Sequence, residues 1–216
     1  MQLTLSDLSP GKRYSILSSL VVPRPIAWVT TLNENGGVNA APFSYFNLMG
    51  DDPPLAVLGI GKRPGGAAKD TFLNIRRTRE FVINIVTEAN AEAMNLCATD
   101  FPPGVSEVEA LGLATEPSAL VKPPRLSLAP AQIEAREVQT LLIGNTQVTI
   151  GELLAVHIRD EFIDVEKLRV HTEKMGMIGR LQGGLDGGYT RTQDRFYLKR
   201  VSYDEWQAGE AERKTT

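Results

Sequence analysis

Residues 61–71, GKRPGGAAKDT, hold the densest set of groups that could do chemistry on an anion. Gly61, Gly65 and Gly66 let main-chain N–H groups approach an oxyanion, and Lys62, Arg63 and Lys69 bring positive charge. A helix that starts at Asp70 or Thr71, the expected N-cap, turns its positive end to the same place. Such an assembly holds phosphate. The same residues also suit a solvated loop with surface lysines, and the loop alone does not separate the two readings. Two or three charge-assisted hydrogen bonds contribute roughly 1.5–3 kcal/mol each, and the helix end adds about 0.3–1 kcal/mol. Together these are of the order of the roughly 8 kcal/mol of micromolar binding, much of which association entropy cancels. A ligand held here must therefore also bury an apolar ring.

A second stretch, residues 23–47, combines two strand-like runs around a glycine turn with small hydroxyl and amide side chains. Residues 26–32 are rich in β-branched and aromatic types, 33–37 carry the Asn-Gly chemistry of a hairpin loop, and 38–46 lead back. Thr30, Thr31, Asn39, Ser44 and Asn47 are candidates for polar contacts, and equally for the solvated face of an ordinary hairpin. Other catalytic signatures are missing. The run from Gly61 to Gly66 does not make a G-x-x-x-x-G-K-[ST] phosphate loop, and Pro64 stands where the dinucleotide fingerprint that Gly59-Ile60-Gly61 begins needs glycine. Neither a G-x-S-x-G elbow nor H-E-x-x-H occurs. His157, His171 and Cys97 lack paired ligand spacing, so a zinc site is not expected. Cys97, at helical spacing from Met94, reads as a small core residue, and both histidines read as structural or surface groups.

The elements that must position these groups follow from periodicity and punctuation. Residues 1–22 form a helical or irregular lead-in that Pro23 and Pro25 end. Residues 51–54 turn and 55–60 make an apolar strand. Phe72, Leu73 and Ile75 mark a helix after the basic loop, and 80–86 alternate as a strand. Helices follow near 89–98 and in VSEVEALG, closed by Gly112. Four prolines make 117–130 an extended connection. Strands at 132–143 and 146–158 meet at Gly144-Asn145, and Gly151 suggests a bulge or bend. A last strand is expected over 195–201, and the tail from 205 frays. Strands joined as hairpins, without a βαβ rhythm, indicate a mainly β, antiparallel barrel of six or seven strands with a few short helices inserted.

The 216 residues, 42% apolar, suit one domain spanning 1–216. A net charge of −3, with no block of one sign, argues against nucleic acid and against a polybasic membrane anchor. No leader pattern and no run of eighteen apolar residues appear, so a cytoplasmic protein is expected.

In their order, PRPIAWVTTLNENGGVNAAPFSYFN, PP before a strand, KDTFLNI, EFVINIV, IGELLAVHI and GRLQGGLDGGYTR closely resemble the flavin reductase-like proteins with an FMN-binding split barrel, over about residues 23–200. The resemblance implies a split β-barrel of Greek-key type, a homodimer, and FMN at or near the subunit interface. It implies backbone and hydroxyl contacts to the flavin from Trp28, Thr30 and Thr31. Ala41 to Asn47 would run beside the flavin, with Ser44, Tyr45, Phe46 and Asn47 touching its ring or ribityl chain. Lys69, Asp70 and Thr71 would hold the phosphate, in agreement with the loop's own chemistry. Tyr189 matches the family's late tyrosine, although GGLDGG is longer than the usual glycine turn. The implied activity is hydride transfer from NADH or NADPH to flavin N5, which needs stacked rings and well-placed hydrogen bonds rather than a strong side-chain base. A partner oxygenase is one outlet for the electrons. The alternative is an FMN-binding electron carrier or redox sensor without a nicotinamide site. A pyridoxamine-phosphate-oxidase-like enzyme shares the barrel, and the KDT and APFSYFN segments favour the flavin reductase-like group over it.

Overall fold

The computed structural model describes residues 1–183 and 187–208. Helix α1 (Pro10–Leu20) opens with proline in its first turn and Ser9 as N-cap, whose hydroxyl accepts from the Lys12 N–H. The hairpin of β1 (Ala27–Leu32) and β2 (Val38–Phe43) turns through Gly36 at φ 88°, in the left-handed region. A second hairpin joins β3 (Phe46–Asp51) to β4 (Pro54–Gly61). After the basic loop come α2 (Asp70–Thr78) and β5 (Glu80–Ile85), then the short helices α3 (Ala91–Leu96) and α4 (Glu107–Ala110). Two-residue strands β6 (Thr115–Glu116) and β7 (Arg125–Leu126) tack down the proline-rich connection. The long hairpin β8 (Ala131–Ile143) and β9 (Thr146–Ile158) follows, and then the small ribbons β10 (Ile163–Asp164) with β11 (Arg169–Val170) and β12 (Ile178–Arg180) with β13 (Tyr189–Arg191).

Seven strands form one antiparallel sheet in the order β2-β1-β5-β8-β9-β4-β3. Its two edge strands, β2 and β3, are joined by only Ser44 and Tyr45, so the sheet must curl until its edges meet at that corner. This is the mainly β, seven-stranded split barrel expected from the sequence. The Gly59 N–H donates to the Tyr45 carbonyl at 2.7 Å and ties the corner to β4. Alternation along β1 separates two cores. Ala27 and Val29 face the barrel interior with Leu58, Ile60, Ile75, Phe81 and Ile83, whereas Trp28 faces a second cluster with Met94, Cys97, Val108 and Leu126.

Three sequence expectations change. Residues 46–51 are a separate strand because the chain reverses at Ser44-Tyr45. No strand forms over 195–201: β13 ends at Arg191, and Phe196, Tyr197 and Leu198 stand exposed. The register shift expected at Gly151 lies opposite it, between Glu137 and Gln139 on β8. Residues 184–186 and the tail from 209 lie outside the described residues.

Gly151 serves close packing. A Cβ there would meet Phe81 Cζ at 2.5 Å. Gly151→Ala should therefore destabilise by about 1–3 kcal/mol, lowering Tm by roughly 2–12 °C, and Phe81→Leu should recover part of the loss. A Tm equal to that of the wild type would show that the Phe81 ring moves aside freely.

Candidate functional site

The basic loop and α2 meet the outer end of β2 in a cleft of about 480 Å³. Asn39, Ala41 and Pro42 form one wall, Lys69, Asp70 and Thr71 a second, and the chain from Cys97 to Phe101 with Glu107 the third. Lys69, rather than Asp70 or Thr71, occupies the N-cap position of α2, and no side chain caps the helix. The first-turn N–H groups of a helix have no intrahelical acceptor, so the helix begins with its donors facing outward.

Asp70 does a different job. Its Oδ2 accepts from Arg63 Nη2 at 3.0 Å and from the Gly104 N–H at 3.0 Å, while Arg63 Nη1 donates to the Phe101 carbonyl at 2.8 Å. This network bolts the loop to the 101–104 turn and neutralises Arg63, one of the three cations expected to serve an anion. Lys62 is exposed and lies outside the cleft. That leaves Lys69, half-buried, its ammonium 5.7 Å from the centre of the Phe43 ring and unpaired with any carboxylate of the described residues. Thr71 is buried, and its hydroxyl accepts from Asn39 Nδ2 at 3.0 Å. Burial pushes the Glu107 carboxyl up from its ordinary value, while the Ala40 N–H donating to it at 2.9 Å pulls the other way. An anion in the cleft thus meets a carboxyl shifted toward its neutral form. Burial likewise pushes the Cys97 thiol up to about 12, which leaves it a core residue and not a nucleophile.

Pro42 and Ala98 also line a second space of about 600 Å³, bounded by Tyr14, Ser44, Asn95, Arg180 and Tyr189. The Tyr189 hydroxyl donates to Asn95 Oδ1 at 3.1 Å, and the Arg180 guanidinium lies 4.8 Å from the centre of its ring. Ala41, Lys69, Asp70 and Thr71 line the first space and Ser44 and Tyr189 the second, so residues far apart in sequence come together in two adjoining spaces. Ser44 also lines the neighbouring groove, together with Tyr45, Phe46 and Asn47.

The β1 residues are placed otherwise. Trp28, Thr30 and Thr31 are fully buried and line neither space. The Thr30 hydroxyl donates to the Pro124 carbonyl at 2.7 Å, and Thr31 Oγ1 accepts from Asn74 Nδ2 at 3.0 Å. Trp28 and Thr30 pair with β2 on one side and β5 on the other, which engages their main chain as well. Gly61 closes β4 opposite Thr146, away from the cleft. Thr31→Val should consequently lower stability by about 1–3 kcal/mol, because Asn74 loses an acceptor, with flavin affinity unchanged in a titration. A loss of affinity at native stability would return Thr31 to the binding set. Sequence reasoning missed Asn95, Arg180, Glu107 and the 97–101 wall, for which neither spacing nor composition gave a signal.

Comparison with known proteins identifies the family and the fold. A family model described as a flavin reductase like domain matches residues 18–176. An uncharacterized protein of Deinococcus radiodurans is 45% identical over 208 residues, spanning 94% of this chain and 91% of the relative. The crystal structure of a 2-nitrobenzoate 2-nitroreductase of Pseudomonas fluorescens superposes with a TM-score of 0.85 at 39% identity, over 94% of this chain and 98% of that one. Nitrilotriacetate monooxygenase component B of Bacillus cereus gives a TM-score of 0.86 at 28% identity, over 92% and 98%.

Proposed function

The chain belongs to the flavin reductase-like family, and from that premise we propose that it is an FMN-dependent oxidoreductase that takes its hydride from NADH or NADPH. The observation that carries FMN is the pairing of an uncapped α2 N-terminus with Lys69, a half-buried cation without a carboxylate partner among the described residues, in a cleft that shares Pro42 and Ala98 with a second space reaching Tyr189. These residues fit a phosphate ester with a ring attached. Lys69 and the first N–H groups of α2 would hold the phosphate. Asp70 acts as a positioning residue that fixes the loop through Arg63 and Gly104. Ala41, Pro42 and Ser44 would line the ribityl chain and ring, and Tyr189, oriented by Asn95 and Arg180, would close the far end. A flavin bound there supplies hydride acceptance and release at N5. The chain's own part is to exclude water, align the rings and donate hydrogen bonds where negative charge gathers.

The likeness to a monooxygenase component supports release of reduced flavin to a partner oxygenase, and the likeness to a nitroreductase supports reduction of a substrate at the site itself. A homodimer is part of the proposal, as the sequence resemblance implies. Among the described residues no helix is long and apolar enough to cross a membrane.

The test is to load the chain with FMN and add NADH, then NADPH, under anaerobic conditions while recording visible absorbance. Bleaching with either nucleotide is expected and names the donor. A band that persists with both yet bleaches with dithionite would replace the reductase with an electron carrier.

A further inference from the structure

Beside the Ser44 corner a groove of about 1030 Å³ opens between α1 and β3, walled by Leu17, Val21, Pro23, Tyr45, Phe46 and Met49. Among the described residues Arg24 is the one charged residue lining this groove, beside the polar Ser44 and Asn47, and is only 4% exposed. Its Nη1 donates to the carbonyls of Ser18 and Val21, and its Nε donates to Ser44 Oγ at 3.3 Å. Its Nη2 is buried and has no hydrogen-bond partner. No carboxylate among the described residues pairs with the guanidinium.

We propose that this groove binds an aromatic monocarboxylate, with the carboxylate on Arg24 and the ring against the apolar walls. A buried cation with a free donor and no counter-ion is costly, and an incoming carboxylate supplies the missing acceptor and the missing charge together. Nε and Nη2 form one edge of the guanidinium, so a carboxylate that accepts from Nη2 lies beside the Ser44 hydroxyl, which accepts from Nε and can donate its own proton to the second carboxylate oxygen. A phosphate ester fits less well, because the groove has one cation and no glycine-rich run of N–H donors. A neutral amide would leave the charge uncompensated. The rigid walls of Tyr45, Phe46, Pro23 and Pro25 suit a flat ring. This inference goes beyond the FMN reading and does not depend on it. The groove and the space reaching Tyr189 touch at Ser44, which lines both, so an acid in the groove lies next to the space proposed for the flavin ring.

The test is titration of the full chain with benzoate, benzyl alcohol and inorganic phosphate by calorimetry, with and without saturating FMN. Benzoate is expected to bind at least tenfold tighter than benzyl alcohol, with phosphate not competing and FMN not displacing it. Arg24→Lys should erase the tenfold preference. Because Arg24 also ties α1 to the barrel, Met49→Trp, which narrows the groove and leaves the guanidinium in place, serves as a second variant and should weaken benzoate at least tenfold while the fold, checked by circular dichroism, stays intact. No benzoate binding, equal affinity for the alcohol, or full displacement by FMN would overturn the assignment. Benzoate binding by a chain that fails to bind FMN would instead overturn the flavin reading and leave this one standing.

Discussion

Lys69→Ala is expected to weaken FMN binding by roughly tenfold to a hundredfold and riboflavin binding hardly at all. Lys69 is the one cleft cation that no carboxylate of the described residues neutralises, since Arg63 belongs to Asp70. Loss of a charge-assisted hydrogen bond is worth roughly 1.5–3 kcal/mol, and each 1.4 kcal/mol is about tenfold in affinity. Riboflavin lacks the phosphate and feels none of this. The fold should tolerate the change, because the Lys69 side chain makes no capping bond to α2 and the helix already starts without one. Flavin fluorescence titration with both ligands decides the matter. Equal losses for the two would move the phosphate elsewhere.

Glu134→Ala should cost stability on a comparable scale, about 3–5 kcal/mol, or roughly 6–20 °C in Tm. Glu134 is fully buried on β8. Its carboxylate accepts from the N–H groups of Ala119, Leu120 and Val121, at 2.7, 2.6 and 3.1 Å, and bonds to His157 Nε2. Residues 119–121 of the proline-rich connection are thus anchored by this one side chain. Burial alone would raise this carboxyl, but the N–H groups of Ala119 and Leu120 and the His157 ring hold it below its ordinary 4.5. A depressed acid stabilises the fold fully above its unfolded value and loses that contribution as pH falls through the folded one. The wild-type chain should therefore lose Tm below about pH 4, and Glu134→Gln should show a shallower acid slope. Parallel slopes for the two proteins would remove Glu134 from the acid response.

Local chemistry made the barrel legible. Asn-Gly and Gly-Asn turns, period-two apolar runs and prolines at strand starts placed the two long hairpins close to their observed limits. Residues 46–51 were harder to see, because their exposed edge strand (Leu48 and Met49 face outward) lacks the alternation of a half-buried one. The expected strand over 195–201 has the right residue types, but pairing needs the segment to lie against a sheet edge, and residue types do not show which segments reach one. The phosphate end was legible as a loop, yet its division of labour was not. Asp70 takes Arg63 because the 101–104 turn folds back some thirty residues later, a tertiary contact invisible to spacing. Thr30 and Thr31 looked available for the same reason, since their partners Pro124 and Asn74 arrive from distant segments. The isolated arginine between Pro23 and Pro25 was the one further clue to Arg24, and only its burial without a counter-ion gives that clue meaning.

A crystal structure of the FMN complex measures directly where the flavin phosphate sits. The phosphate is expected within hydrogen-bond reach, about 2.7–3.2 Å, of Lys69 Nζ and of the first N–H groups of α2, with the ring extending past Pro42 toward Ser44 and Tyr189. A phosphate found in the Arg24 groove, or FMN bound without contact to α2, would contradict a phosphate site at Lys69.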